Sequence, residues 1–192
     1  MADLPIEYSR RLYDEVRNWY QSADSKAQVA LGIDGAFLAF LSSGMFAKPA
    51  DLKQVVVSFS FWTWSLLVLL ILTLLGSIVA AMHCIRSRIE SEAKLRKLVN
   101  SEQALDRDQG RYSPNLMWFF QMVGVLDPEY FRKTLAKVDL EFELDALAVE
   151  IQILSRNVTE KHRAANRALL LAVVTLLLFL AAGISYGIRN TI

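Results

Sequence analysis

Charge is absent from three long stretches of this chain and dense almost everywhere else. Between Lys26 and Lys48 the only charged residue is Asp34, and between Lys53 and Arg86 there is none, with His83 the one titratable group. Between Arg167 and Arg189 there is again none. A run of about 18 or more uncharged, mainly apolar residues predicts a transmembrane helix. The second and third stretches meet that test through Trp64–Met82 and LLLAVVTLLLFLAAG. The first is more polar, with Gln28, Asp34, Ser42, Ser43 and three glycines, a composition that also suits a buried helix of a soluble domain. Its surroundings argue for spanning. Pro49, Asp51 and Lys53 form a short turn before Trp62 and Trp64, the aromatic pair expected at a membrane interface. The first two spans then make a helical hairpin that satisfies its backbone amides internally, as hydrocarbon requires.

The charged parts show helical periodicity. Over residues 6–26, Tyr8, Leu12, Val16, Trp19 and Ala23 recur every three or four positions, predicting an amphipathic helix that runs into the first span. Residues 85–105 read as a charged continuation of the second span, and 106–115 (DRDQGRYSPN) as a loop around Gly110 and Pro114. After LMWFFQMVGVL, Asp127-Pro128 provides an N-cap followed by proline at the first helical position. No further Pro or Gly occurs before Gly183. The economical reading is one helix from Pro128 through the third span, its cytoplasmic part roughly 55–60 Å long. Phe131, Leu135, Val138, Phe142, Leu147, Ile151, Leu154 and Val158 form a stripe of coiled-coil spacing along it. That stripe can pack on the N-terminal helix or on a second copy of the chain.

Lys and Arg placement orients the spans. Arg10, Arg11, Arg17 and Lys26 precede the first, and most other basic residues lie between the second and third. The expected fold is an all-α membrane protein, with three transmembrane helices and a cytoplasmic helical domain between the second and third. Its parts are a cytoplasmic helix (1–26), a first span (27–47), an external loop (48–60), a second span (61–84), a cytoplasmic domain (85–166), a third span (167–188) and an external tail (189–192). This places the chain in a membrane, N terminus on the cytoplasmic side and C terminus outside.

Composition agrees and narrows the chemistry. Of 192 residues, 54% are hydrophobic, against roughly 45–50% in soluble domains. A net charge of +1 gives no field to attract a nucleic-acid polymer. Cys84 is the single cysteine, so no intrachain disulfide forms. The first apolar block begins behind a long amphipathic segment, so no cleavable signal peptide is expected. His83 and His162 stand far apart with no metal-ligand spacing, and no P-loop, G-x-S-x-G or H-E-x-x-H occurs. The expectation is a non-enzyme with no metal, cofactor or catalytic residue.

Asp34 is the unusual residue. It lies near 10 Å deep at helical rise, where an acid costs on the order of 2.5–3.5 kcal/mol unless it meets a partner or water. The same depth falls near Ser77 on the second span and Thr175 on the third, with Gly32 and Gly35 allowing close approach. The three residues form either a structural clamp or a gating, pore-lining group. Asp24 and Lys26 sit at the cytoplasmic edge as interface anchors. Arg86, Arg88, Lys94, Arg96 and Lys97 serve topology and lipid headgroups, or form a phosphate site with Trp118, Phe119 and Phe120 stacking beside it; such an aromatic cluster also suits a core.

These pieces occur in a telling order: SADSKAQVALGIDGAFLAFL, then a second span and basic stretch, then NLMWFFQMVGVLDPEYF and LAVEIQILSRNVTEKHRAANRALLLAVVTLLLFLAAG. From about residue 15 to 188 the chain resembles the transmembrane effectors of the pyrimidine-cyclase anti-phage system, Pycsar. The likeness rests on Ala23-Asp24-x-Lys26-Ala27, Asn115-Leu116-x-x-Phe119-Phe120 and Leu154-Ser155-Arg156. Where the family tends to have Asn within G-I-N-G-A, this chain has Asp34. The resemblance implies an effector that senses cUMP or cCMP made by a partner cyclase and impairs the inner membrane on infection. It points to Asp24, Lys26, Asn115, Phe119 and Arg156 as ligand-binding residues. It also implies a homo-oligomer, because one three-span protomer cannot line a pore. The rival expectation is a non-gated anchor or scaffold for a separate sensor. A small transporter is disfavoured, since three spans show no internal repeat.

Overall fold

The structure is a computed structural model that describes residues 4–47, 56–57, 59–86, 91–101, 105–106 and 110–191. Helix α1 runs from Leu4 to Ala47 without a break, with Pro5 tolerated in its first turn. The amphipathic segment and the first apolar block are thus one helix, as expected. Helix α2 spans Phe61–Ile85 and starts where the Ser60 hydroxyl accepts the Thr63 N–H at 3.1 Å. It is followed by α3 (Glu92–Val99), with an acid in its first turn and Arg96 and Lys97 in its last, matching the helix dipole. A two-residue hairpin, β1 (Leu105–Asp106) and β2 (Arg111–Tyr112), pairs Leu105 with Tyr112 and Asp106 with Arg111. Gly110, at φ +59°, precedes β2; only glycine enters that region without strain. A 3₁₀ turn (Pro114–Leu116) and α4 (Phe120–Val123) lead to α5 (Pro128–Leu135), where Asp127 Oδ1 caps the Tyr130 N–H at 2.9 Å. Helix α6 occupies Leu140–Thr191.

Three expectations are corrected. The helix from Pro128 is not continuous: α5 ends at Leu135 and α6 begins at Leu140. No glycine or proline makes the break. Asp139 starts α6 by accepting the Phe142 N–H at 2.8 Å, and Arg111 from β2 donates to the Lys137 carbonyl at 3.1 Å and to Asp139 at 3.3 Å. Nor does the second span continue into 85–105. Arg86 turns to an extended conformation (ψ 119°), and Ser91 opens a new helix; Arg88 lies outside the described residues. The supposed loop at 106–115 contains the second strand of a hairpin, because Arg111 and Tyr112 find partners distant in sequence. Most of the external loop at 48–60, including Pro49, Asp51 and Lys53, lies outside the described residues.

The chain divides into two compact units, Met1–Tyr20 with Ser87–Val158, and Gln21–Arg86 with Thr159–Ile192. We call them the charged unit and the bundle unit. In the charged unit, Val99, Tyr112, Leu116 and Leu126 form a core, and Phe142 is buried beneath the Arg111 guanidinium, 4.8 Å from its ring centre. The first turns of α1 pack here, against the start of α6. Arg10 grips Glu143 through two 2.7 Å bonds, and Tyr13 donates to Glu150. Of the stripe read from spacing, Leu12 and Val16 are half-buried and Ala23 is buried, while Tyr8 and Trp19 are exposed, and Ile6 and Tyr13 join the covered face.

The bundle unit follows a heptad rule on all three of its helices. Its buried positions are Ala23, Ala27, Ala30 and Asp34 on α1, and Leu70, Leu74, Ser77, Ala81 and Cys84 on α2. On α6 they are Ala165, Ala168, Ala172, Thr175 and Ala182, with Ala164 beside the row and Thr63 one heptad before Leu70 on α2. Steps of four and three residues, summing to seven, are the spacing of left-handed helix packing. Most of the residues turned inward are small. Gly32 and Gly35 do not supply the close approach expected of them: a side chain there would meet open space, and alanines make the contact instead. Gly76 is a close-contact site, since a Cβ there would lie 3.2 Å from Leu171. Among the described residues, two helices are long and apolar enough to cross a membrane: α2, and α6 over Leu140–Ile188. The 27–47 stretch of α1 is not one of them.

Candidate functional site

The bundle unit holds its polar groups in layers between helices. At one level, Lys161 Nζ on α6 meets Asp24 Oδ1 on α1 at 2.5 Å, both side chains largely buried. Close by, the Cys84 thiol donates to the Ala23 carbonyl at 3.6 Å. Farther along, Ser77 Oγ lies 2.6 Å from Asp34 Oδ2 and 3.0 Å from the Ala168 carbonyl, joining all three helices. The next layer pairs Thr175 with Thr73 at 2.9 Å, and Thr175 also donates to the Leu171 carbonyl. A last layer links Thr63 to Ser185 at 3.0 Å and to Ser60 at 2.9 Å. Near it, Phe59 makes edge contacts with Trp64 and Tyr186, and Trp62 and Phe61 face outward. Each hydroxyl here meets a partner, which is what a water-poor interior demands.

The charged unit carries an open cleft of about 450 Å³ lined by Val99, Asn100, Tyr112, Asp127 and Tyr130, within the size range of small-ligand sites. Tyr112 and Val99 are buried. Tyr130 meets Tyr112 edge-to-face with ring centres 4.9 Å apart. The Tyr112 hydroxyl accepts the Asp127 N–H at 3.3 Å, and the Tyr112 N–H bonds Thr134 at 3.1 Å, so strand, cap and α5 are locked together. Around this framework several ionisable groups are shifted. The Phe142 N–H, then Arg111, hold Asp139 below the ordinary carboxylate range. The hydrogen bonds from Arg10 do the same for Glu143. Burial raises Glu150, with the Tyr13 hydroxyl opposing it, and burial also raises Tyr13.

The structure does not gather the five expected ligand residues in one unit. Asp24 and Lys26 belong to the bundle unit, where Asp24 is engaged by Lys161. Asn115, Phe119 and Arg156 belong to the charged unit, with Asn115 and Arg156 exposed. Phe119 meets Trp118 at a tilt and Phe120 edge-on, at ring distances of 5.3 and 5.0 Å. None of the five lines the cleft. Of the three residues expected at one depth, Asp34 and Ser77 meet directly, while Thr175 sits in the neighbouring layer and the Ala168 carbonyl takes its place. Sequence reasoning missed Lys161, Thr73, Tyr112 and Tyr130. The first two lie more than 100 residues from their partners, and only the Asp127-Pro128 cap beside Tyr130 marked the cleft.

A family model described as the Pycsar effector protein domain matches residues 8–187. No curated protein and no solved structure matches the chain.

Proposed function

The chain belongs to the Pycsar effector family, an anti-phage defence family, and from that membership we propose that a cyclic pyrimidine nucleotide, cUMP or cCMP from a partner cyclase, activates it to impair the bacterial inner membrane. The observation that carries the membrane half of this reading is the inverted bundle unit. Its interior is mostly alanine, serine and threonine with one aspartate, beside Leu70, Leu74 and Cys84, while Val29, Ile33, Phe40, Leu72, Val79, Leu177 and Ile184 face outward from all three helices. Such an arrangement suits hydrocarbon and would be costly in water. Because α1 shares it with α2 and α6, the proposed topology keeps three spans, with the N terminus and the 85–166 region in the cytoplasm and the C terminus outside.

Asp34, Ser77 and Ala168 act in this reading as a clamp that holds the resting bundle closed. The polar side chains of one protomer bond one another, so leakage requires several copies to rearrange together, and the active form is a homo-oligomer. A ligand drives that change only as far as it binds the two states differently. The test is to express the chain in a bacterium, add membrane-permeant cUMP or cCMP, and follow membrane potential with a voltage-sensitive dye. Rapid depolarisation with one nucleotide, abolished by truncating residues 167–192, is the expected result. A well-inserted chain that responds to neither is a scaffold or answers a different signal.

A further inference from the structure

The cleft of the charged unit has a chemistry that selects among planar ligands. Its floor is apolar and aromatic, with Val99 and Tyr112 buried and Tyr130 forming a wall. Two polar groups stand at its sides. Asp127 Oδ1 is committed to the Tyr130 N–H, and no other hydrogen bond to its carboxylate occurs among the described residues. The Asn100 side chain is exposed at the end of α3, able to donate and to accept. Among the described residues, the lining contains an acceptor-only acid and an ambidextrous amide. An acid and an amide beside aromatic rings match the edge and faces of a nucleotide base.

We propose that this cleft is the base-recognition site of the chain, that Tyr112 and Tyr130 hold the ring, and that Asp127 and Asn100 make it prefer cytosine to uracil. The proposal rests on the reading that the signal is a cyclic pyrimidine nucleotide. Cytosine presents an exocyclic amine beside a ring acceptor. A carboxylate accepts from that amine, the pairing by which acids recognise cytosine elsewhere, and an amide NH₂ serves the neighbouring nitrogen. Uracil places a carbonyl oxygen where cytosine has its amine, and a carboxylate facing it has no proton to offer. Stacking against a tyrosine ring supplies binding that does not depend on the base.

The experiment is calorimetric titration of the full chain in nanodiscs with cCMP and with cUMP, for wild type, Asp127→Asn, Tyr130→Ala and Phe119→Ala. Asparagine caps a helix as well as aspartate does, so Asp127→Asn keeps α5 while replacing one acceptor by a donor. Wild type is expected to bind cCMP roughly tenfold tighter than cUMP, and Asp127→Asn to narrow or reverse that ratio. Tyr130→Ala is expected to weaken both nucleotides roughly tenfold, and Phe119→Ala neither. Hydrogen exchange over residues 110–140 checks that each variant keeps its fold. Wild-type preference for cUMP, or binding that Phe119→Ala abolishes and Tyr130→Ala leaves intact, overturns the cleft while leaving the nucleotide reading in place. Failure of wild type to bind either nucleotide overturns both.

Discussion

The two units of this chain solve opposite solvent problems with overlapping helices. In the charged unit, Ile6, Tyr112, Leu126 and Phe142 are inside and the exposed positions are largely polar, with ion pairs such as Arg96–Glu92 and Lys133–Glu129 at the surface. In the bundle unit most large apolar residues are outside, and apart from Leu70 and Leu74 the interior is largely of small residues with a few polar ones. Water drives the first arrangement by excluding apolar surface. In hydrocarbon that force is absent between helices, and close packing with paired hydroxyls takes over. Helices α1 and α6 each obey both rules, changing from one to the other along their length. The solvent, more than the secondary structure, therefore decides which residue types count as core.

The comparison can be attacked at its strongest point first. Phe142→Ala removes a ring that is 3% exposed and lies under Arg111, and is expected to destabilise the charged unit by about 3–5 kcal/mol. Hydrogen exchange should show lost protection over α5 and the start of α6, while Cys84, buried in the other unit, stays unreactive to maleimide. Reaction of Cys84 in that variant would mean the units are not independent. A matched pair of substitutions tests the solvent argument. Leu177→Arg and Leu98→Arg both replace exposed leucines, at 59% and 44% exposure. The first should oppose membrane insertion by about 3 kcal/mol and release protein on carbonate extraction; the second should change stability by no more than about 0.5 kcal/mol. Equal tolerance would break the inside-out reading.

The smallest effect concerns the break between α5 and α6. The Asp139 carboxyl titrates below its unfolded value, so its contribution is present above the usual carboxylate range and is lost as pH falls through the folded value. Asp139→Ala should lower the thermal midpoint of the charged unit by a few degrees at neutral pH. That difference should close in acid, where wild type loses the same contribution. A difference that persists unchanged at low pH would mean that the neutral side chain, not its charge, carries the cap.

What could be read in advance followed local rules. The limits of α2 were legible because charge ends at Lys53 and resumes at Arg86. The unbroken α1 was legible because nothing between residues 6 and 47 obliges a stop. Asp34 and Ser77 were brought together by counting depth in an antiparallel hairpin, and they are bonded in the bundle. Counting failed for Thr175, because the third helix enters with its own axial offset, and Ala168 faces the clamp instead. The Leu135–Leu140 break was illegible for a different reason. The groups that satisfy its backbone come from Arg111, 26 residues upstream of Lys137, and no local propensity announces them.

By itself, then, the sequence determined what depends on composition over a window: which segments are helical, which can reside in lipid, and which family order they follow. Those properties are sums over many residues, and each residue contributes independently of its distant neighbours. The tertiary structure alone decided which face of each helix turns inward, that Lys161 answers Asp24, and that Val99, Asn100, Tyr112, Asp127 and Tyr130 enclose one cleft. These are pairings between residues far apart in the chain. They depend on the rotation and offset of packed elements, and a shift of one residue in either would replace every partner.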